Sequence, residues 1–239
     1  MKTIADFRTN PGPLYFTVPD HVRSARKNNI ESLAPDSDGA RAVISRAEQS
    51  LKQLLKMPGE YAVIFFPSTG VLVNHLFGEF IDSELMHLRT SDIEDPFERS
   101  ALSQGKELRI HRLKELSVDQ LPDIPTAVSF VQNDVNEGRI LPADFLESLR
   151  RKFPDALIIG DYDSAIPYYP GNFQPVDIAC FSVQFGLGLP SNLSVMIINR
   201  KAQENPARND HKGKSAFASH THQSSDMLAI YLLDKVCND

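Results

Sequence analysis

Residues 61–70 read YAVIFFPSTG, and this stretch decides the fold class. Its first six residues form an unbroken apolar run rich in β-branched and aromatic side chains, which is typical of a strand covered on both faces. Its last four are turn-forming or small polar residues, and they predict a helix that begins here and continues to about Phe80. A strand that leads directly into a helix indicates crossover connections and a parallel sheet.

The same alternation of apolar runs and amphipathic segments extends along the rest of the sequence. Apolar residues at three- and four-residue spacing predict a helix over residues 40–56. Apolar runs predict the other strands, at residues 85–89, 108–112, 127–132, 156–160, 178–183 and 193–199. Amphipathic patterns predict the other helices, at residues 97–104, 143–152 and 226–236. We therefore expect an α/β fold with three layers around a doubly wound, mostly parallel seven-stranded sheet.

The pattern predicts one domain. Residues 1–200 form its main part, which begins with an irregular arm over residues 1–20 because proline and glycine follow one another at 11–13. Residues 201–239 are assigned to the same domain as a polar, mobile segment followed by the last helix.

Composition excludes several classes of protein. The 239 residues carry a formal net charge of −6 without a cluster of Lys and Arg, so we expect no nucleic-acid partner. Cys180 and Cys237 lie far apart in sequence, which indicates neither a disulfide framework nor a zinc ribbon. No stretch approaches the roughly 20 apolar residues that span a bilayer. We expect a soluble, cytoplasmic protein without a membrane partner.

Polar residues that follow apolar runs are candidate ligand contacts, because open α/β sheets bind ligands at the carboxyl ends of their strands. Ser68, Thr69 and Gly70 follow the first strand, where the N–H groups of a helix start can bind a phosphate. A simple helix cap is the alternative for these residues. Asp161 follows the run at 156–160 and could face the nitrogen of a heteroaromatic ring, or could merely form an Asp-Tyr-Asp turn.

Residues 180–195, CFSVQFGLGLPSNLSV, resemble the phosphoserine aminotransferase group of class V, fold-type I aminotransferases, which depend on pyridoxal phosphate (PLP). That family has here a strand, a glutamine, the cofactor-binding lysine, a Gly-Pro-rich turn and a return strand. The resemblance extends in order from residues 12–13 to residues 232–236 and so covers nearly the whole chain. It implies the fold of the aminotransferase large domain.

The resemblance also implies which residues would contact the cofactor. Gln184 matches the glutamine on the phosphate side, and residues 68–70 match the phosphate-binding helix start. Asp161 matches the aspartate that pairs with the pyridinium nitrogen. Ile93 falls where the family stacks an aromatic ring on the cofactor, and Thr221 falls near the threonine that contacts the partner subunit's phosphate.

The departures from the family concern catalysis. Phe185 falls at the position of the lysine, and a phenyl ring can neither hold the aldehyde of PLP nor transfer a proton. The family continues into a small domain that supplies arginines for the substrate carboxylate, whereas this sequence stops at Asp239. We therefore expect no catalytic residue and no cofactor; if PLP binds at all, we expect it to be held noncovalently.

Two hypotheses follow from these departures. The first is a degenerate aminotransferase-like protein, a pseudoenzyme with a structural or regulatory role, that forms a homodimer or a heterodimer with a complete aminotransferase. The alternative is a family member that binds PLP or another phosphorylated ligand and retains some activity.

Other chemistries have weaker support in the sequence. His211, His220 and His222 lie near Asp210, but the segment offers no fixed frame for a metal, so we expect no metal site. No G-x-S-x-G, G-x-G-x-x-G or P-loop motif follows any strand.

Overall fold

The computed structural model describes residues 14–81, 84–89, 96–113, 118–122, 125–134, 138–168, 173–204 and 226–239. Seven strands within these ranges form one sheet, in the order β1-β9-β8-β7-β4-β2-β3. Their bounds are Ala62–Phe66 (β1), Glu84–Arg89 (β2), Glu107–Arg112 (β3), Ala127–Val131 (β4), Leu157–Asp161 (β7), Ile178–Ser182 (β8) and Ser194–Ile198 (β9). Two short strands, Asn133–Asp134 (β5) and Arg139–Ile140 (β6), pair separately.

Helices cover both faces of this sheet. Their bounds are Val18–Lys27 (α1), Asp38–Leu54 (α2), Thr69–Phe80 (α3), Pro96–Ser103 (α4), Ala143–Lys152 (α5), Val183–Gly186 (α6), Arg200–Gln203 (α7) and Met227–Asn238 (α8). Among the described residues, no helix combines the length and the apolarity that a membrane span requires.

The β1 strand shows why the sheet is covered on both sides. Val63 and Phe65 belong to the core on the side of α2, α5 and α8, whereas Ile64 and Phe66 belong to the core on the side of α3 and α4. All four are at most 2% exposed. Side chains alternate between the faces of a strand, so an unbroken apolar run is what a strand between two helical layers needs.

The predicted fold class is confirmed. Four strand pairs are parallel, and β9 runs antiparallel between β8 and β1. All seven predicted strands and the five predicted helices are present, with ends that differ by up to two residues.

Three local predictions are wrong at their boundaries. The arm predicted over residues 1–20 ends sooner, since α1 begins at Val18, where a proline occupies the first turn. The strand predicted to reach Val183 ends at Ser182, whose Oγ accepts the N–H of Gln184 at 3.4 Å and starts α6. The polar segment predicted from Lys201 begins as helix α7, because the Asn199 side chain caps Ala202 N at 3.0 Å.

Parallel strands give the sheet two chemically different edges. We call the edge where the parallel strands end the carboxyl edge, and the edge where they begin the amino edge. Asp177, 2% exposed, organises the amino edge. Its carboxylate binds the Arg150 guanidinium and accepts the N–H of Ile158 at 2.8 Å and Asn199 Nδ2 at 2.8 Å.

We predict that Asp177→Ala destabilises the protein by about 3 kcal/mol, because it leaves these buried donors without an acceptor. Urea denaturation measures the change in free energy of unfolding. Asp155→Ala, an exposed neighbour, is the control and should change that free energy by less than about 0.5 kcal/mol. Equal effects of the two substitutions would contradict the role assigned to Asp177.

Candidate functional site

Four segments meet side by side at the carboxyl edge. They are the start of α3 after β1, the start of β9, the end of β8 with α6, and the end of β7. Ser194 joins the first three, since it pairs with Phe66 on one side and with Ser182 on the other. Neighbouring strands lie about 4.8 Å apart, so the row from β1 to β7 spans about 14 Å.

The start of α3 is a capped helix end. Ser68 is the N-cap residue, and its Oγ accepts the N–H of Val71 at 3.3 Å. The Thr69 hydroxyl lies 3.1 Å from that of Ser194, which fixes the first turn of the helix against the sheet. The capping interpretation of Ser68 is therefore confirmed, and the phosphate-binding interpretation of residues 68–70 remains a prediction.

A groove of about 490 Å³ opens beside Thr69 and Gly70. Val73 and Asn74 of α3 continue its first wall. The opposite wall comes from α4 and is polar, with Arg99, Ser100 and Ser103. The groove thus lies on the side of α3 that faces α4.

Asp161 lies at the β7 end of the row of four segments. It is the last residue of β7 and pairs in register with Cys180 of β8. Its Oδ1 accepts the N–H of Asp163 at 2.9 Å, so the predicted Asp-Tyr-Asp turn is present. Burial raises the pKa of the Cys180 thiol, and the nearby carboxylates of Asp161 and Asp163 raise it further.

Asp163 is a second carboxyl group at this position. It accepts the N–H of Ser182, the residue that caps α6. Burial raises the pKa of Asp163 to about 6, and the hydrogen bond from Ser182 only partly offsets this effect. Folding therefore shifts the protonation equilibrium of Asp163 towards its neutral form, relative to the unfolded chain.

Gln184 and Phe185 lie in the short helix α6, and both side chains are partly buried. Gly186 fixes this helix against the turn that follows β7. A Cβ atom at Gly186 would lie 1.6 Å from the carbonyl oxygen of Ile166, so only glycine allows the two backbones to approach this closely. The position of Phe185 is thus set by contacts on both sides of it along the chain.

No lysine lies at the carboxyl edge among the described residues. Five described lysines lie at the amino edge: Lys52, Lys56, Lys106, Lys152 and Lys201. Lys27 and Lys235 lie on the outer helices α1 and α8. Lys201, the nearest to Phe185 in sequence, donates to the carbonyl oxygens of Pro154 and Ala156 at 2.8 Å, at the far end of β9.

Some predicted site residues lie outside the described residues. Ile93 and Thr221 are among these, and so are the histidines considered as metal ligands. The described part of the chain contains no cluster of three or more His, Cys, Asp or Glu side chains that could hold a metal.

The residues that link the four segments were not predicted from the sequence. Asp163, Ser182 and Ser194 carry this linkage through hydrogen bonds or strand register. The Asp-Tyr-Asp motif was a visible signal for Asp163, since the second carboxylate comes two residues after the first. For Ser194 no local signal exists, because its partners depend on how β9 returns through the sheet.

Several known structures that share this fold are aminotransferases. A phosphoserine aminotransferase from Cytophaga hutchinsonii superposes with a TM-score of 0.85 and 24% identity, over 98% of this chain and 70% of that one. A PLP-bound phosphoserine aminotransferase from Trichomonas vaginalis gives 0.73 and 15%, over 97% and 69%. The ureidoglycine–glyoxylate aminotransferase from Bacillus subtilis gives 0.70 and 16%, over 100% and 66%. No protein-family model and no curated protein matches the sequence.

These similarities establish the fold. The predicted resemblance to phosphoserine aminotransferases and related class V enzymes is confirmed at the level of structure. The seven-stranded sheet and its flanking helices are those of PLP-dependent aminotransferases.

We predict that Asp163→Asn stabilises the protein at pH 7.5 by on the order of 2 kcal/mol. The folded state raises the pKa of Asp163 from 3.8 to about 6, so the stability that its neutral form provides is lost as the pH rises between these values. Asparagine stays neutral and can still accept the Ser182 N–H.

The measurement is the free energy of unfolding in urea at several pH values from 4 to 8. The gain from Asp163→Asn should shrink towards zero near pH 4. Asp36→Asn, at an exposed position, is the control. A variant less stable than the wild type at pH 7.5 would contradict the assigned cause of the pKa shift.

Proposed function

We propose that this chain, which has the fold of class V aminotransferases, is a pseudoenzyme with a structural or regulatory role in the cytoplasm. One observation carries the proposal. The carboxyl edge presents Phe185 in α6 between a glutamine and a tightly packed glycine, and no described lysine amine reaches this edge. Transamination through PLP needs an amine there to hold the aldehyde and to move the proton at the substrate carbon.

The residues present fit PLP only in part. The start of α3 offers backbone N–H groups for a phosphate, Gln184 lies two segments away, and Asp161 lies at the far end of the row. This set suits a phosphate at one end and a ring nitrogen at the other. PLP itself would supply an electron-withdrawing ring. The chain supplies the means to bind and orient such a molecule, but its described residues supply no amine to attach it.

The surface around the carboxyl edge favours a protein partner. Five of the eight large apolar side chains that are exposed in the described residues surround this edge: Leu14, Phe16, Val71, Ile140 and Tyr168. Phe16 and Tyr168 are 79% and 81% exposed. The N–H of Tyr15 donates to Gly188 O at 2.8 Å, which holds the first two residues of this apolar rim beside the turn after α6. Apolar groups clustered at one edge indicate an interaction site.

We assign this apolar rim to a second subunit of aminotransferase fold, either another copy of the chain or a complete aminotransferase. An apolar surface around the candidate site is suited to an isologous contact, in which both subunits use the same patch.

A second candidate function has specific support. Asp161, Gln184 and the capped start of α3 meet at one edge although no described amine could use them for catalysis. The chain would then be a sensor or enzyme that holds PLP or another phosphorylated small molecule noncovalently. If the chain binds such a ligand, Thr69→Ala and Gln184→Ala should weaken ligand binding. If the chain acts only as a subunit, the same substitutions should leave subunit assembly unchanged.

We predict that the purified chain is a dimer, or forms one with a complete aminotransferase, and that Phe16→Ser combined with Tyr168→Ser dissociates it. Light scattering coupled to size-exclusion chromatography measures the mass. The control is Leu102→Ser, which removes a side chain that is 63% exposed on α4, outside the apolar rim. A monomeric mass for the wild type, together with no association with a complete aminotransferase, would refute the subunit role.

We predict that Phe185→Lys creates a covalent PLP adduct that borohydride traps. The introduced amine would stand in α6 beside Gln184, where the resemblance places the family's lysine. Peptide mass spectrometry should find the added mass at position 185. Tyr168→Lys, an exposed amine at the same edge, is the control and should be modified no more than other surface lysines. An unmodified Phe185→Lys variant that folds like the wild type would show that the alignment is wrong.

A further inference from the structure

The turn that follows β7, residues 162–168, connects the segments of the candidate site. The N–H of Tyr162 donates to Cys180 O of β8 at 2.8 Å. On the other side, Asn133 Nδ2, from the strand that follows β4, donates to Ser164 O at 2.9 Å. The carbonyl oxygen of Ile166 packs against Gly186 of α6. A shift of this turn would therefore move α6.

Within this turn, the Asp163 side chain has the most direct path to a predicted ligand contact. Its carboxyl group accepts the N–H of Ser182, and the Ser182 hydroxyl accepts the N–H of Gln184 at 3.4 Å. Ser182 also pairs in register with Ser194, whose hydroxyl lies 3.1 Å from that of Thr69. Asp163 is thus two hydrogen bonds from the backbone N–H of Gln184.

We propose that Asp163 is a positioning residue for ligand binding at the carboxyl edge, and that its carboxyl group sets the position of Gln184. The ligand is a phosphorylated small molecule with a nitrogen-containing ring, and this part of the inference rests on the second candidate function. The geometry does not rest on it, because the hydrogen bond from Ser182 to Asp163 and the one from Gln184 to Ser182 are contacts within the chain.

Burial makes a charged carboxylate energetically unfavourable at this position. An asparagine could accept the same N–H without a buried charge, so what aspartate adds at this position is a charge that depends on pH. Among the described residues, the titratable groups that face Asp163 include Asp161 in its own turn and Cys180 on β8, and neither of these supplies a positive charge. Burial raises the pKa of Asp163 to about 6, so its charge changes close to physiological pH. Residues with such titrations concentrate at functional sites.

The test follows the side-chain amide of Gln184 by NMR in the ¹⁵N-labelled full chain. In the wild type, its resonances should move between pH 5 and 7.5 with a midpoint near the pKa of Asp163, about 6. In Asp163→Asn they should show no transition and should match the wild type at pH 5. Asp36→Asn should behave as the wild type does. Flat wild-type resonances, or the same transition in Asp163→Asn, would overturn the proposal.

Hydrogen exchange and ligand binding form the second part of the test. Asp163→Ala should raise the exchange rate of the Ser182 amide by about tenfold, because the amide loses one hydrogen bond. Asp163→Asn should restore slow exchange. PLP is the binding probe, and its affinity should fall about tenfold in Asp163→Ala and recover in Asp163→Asn.

The outcomes separate the positioning role from the ligand. If PLP binds the wild type and Asp163→Ala equally well, positioning is refuted. If PLP does not bind the wild type but Gln184 titrates through Asp163, the ligand-binding candidate fails and the positioning role is supported.

Discussion

The close approach of Gly186 to the carbonyl oxygen of Ile166 is the constraint on which the candidate site depends. It holds α6 against the turn after β7, and the hydrogen bond from Ser182 to Asp163 holds the same two segments at the other end of α6. Phe185 lies between these two attachments. A helix of four residues with both ends fixed leaves its side chains little choice of position, so the residue type at 185 decides which chemistry is available there.

The topology of the sheet places the candidate ligand contacts and the described lysines at opposite edges. The directions of the strands bring Thr69, Gln184 and Asp161 to the carboxyl edge, while the described lysines that precede or follow strands lie at the amino edge. Lys201 shows the consequence most clearly. Burial lowers the pKa of its ammonium group, but it lies beside Asp177, at the opposite end of β9 from the candidate site. An amine at the amino edge cannot replace a lysine at position 185. The pseudoenzyme proposal is therefore supported by the topology of the sheet as well as by the phenylalanine at position 185.

Much of the fold could be predicted from the sequence because its signals are local. The run YAVIFF alternates its side chains between two cores, and each of the five predicted helices carries its own apolar stripe. The helix α6 was not predicted, because four residues are too few for a periodic pattern and its start depends on one serine cap. The candidate site could be predicted from the sequence only in part. Asp161 and Gln184 follow apolar runs, whereas the role of Ser194 depends on the register of an antiparallel strand between two parallel ones, which no window of sequence encodes.

The most direct test of the central claim is to treat the wild-type chain with one equivalent of PLP and borohydride and to map every lysine by peptide mass spectrometry. We predict that no lysine is modified beyond the level of a denatured control, because no amine of the described residues stands at the carboxyl edge. Stoichiometric modification of a single lysine that depends on the folded state would contradict it.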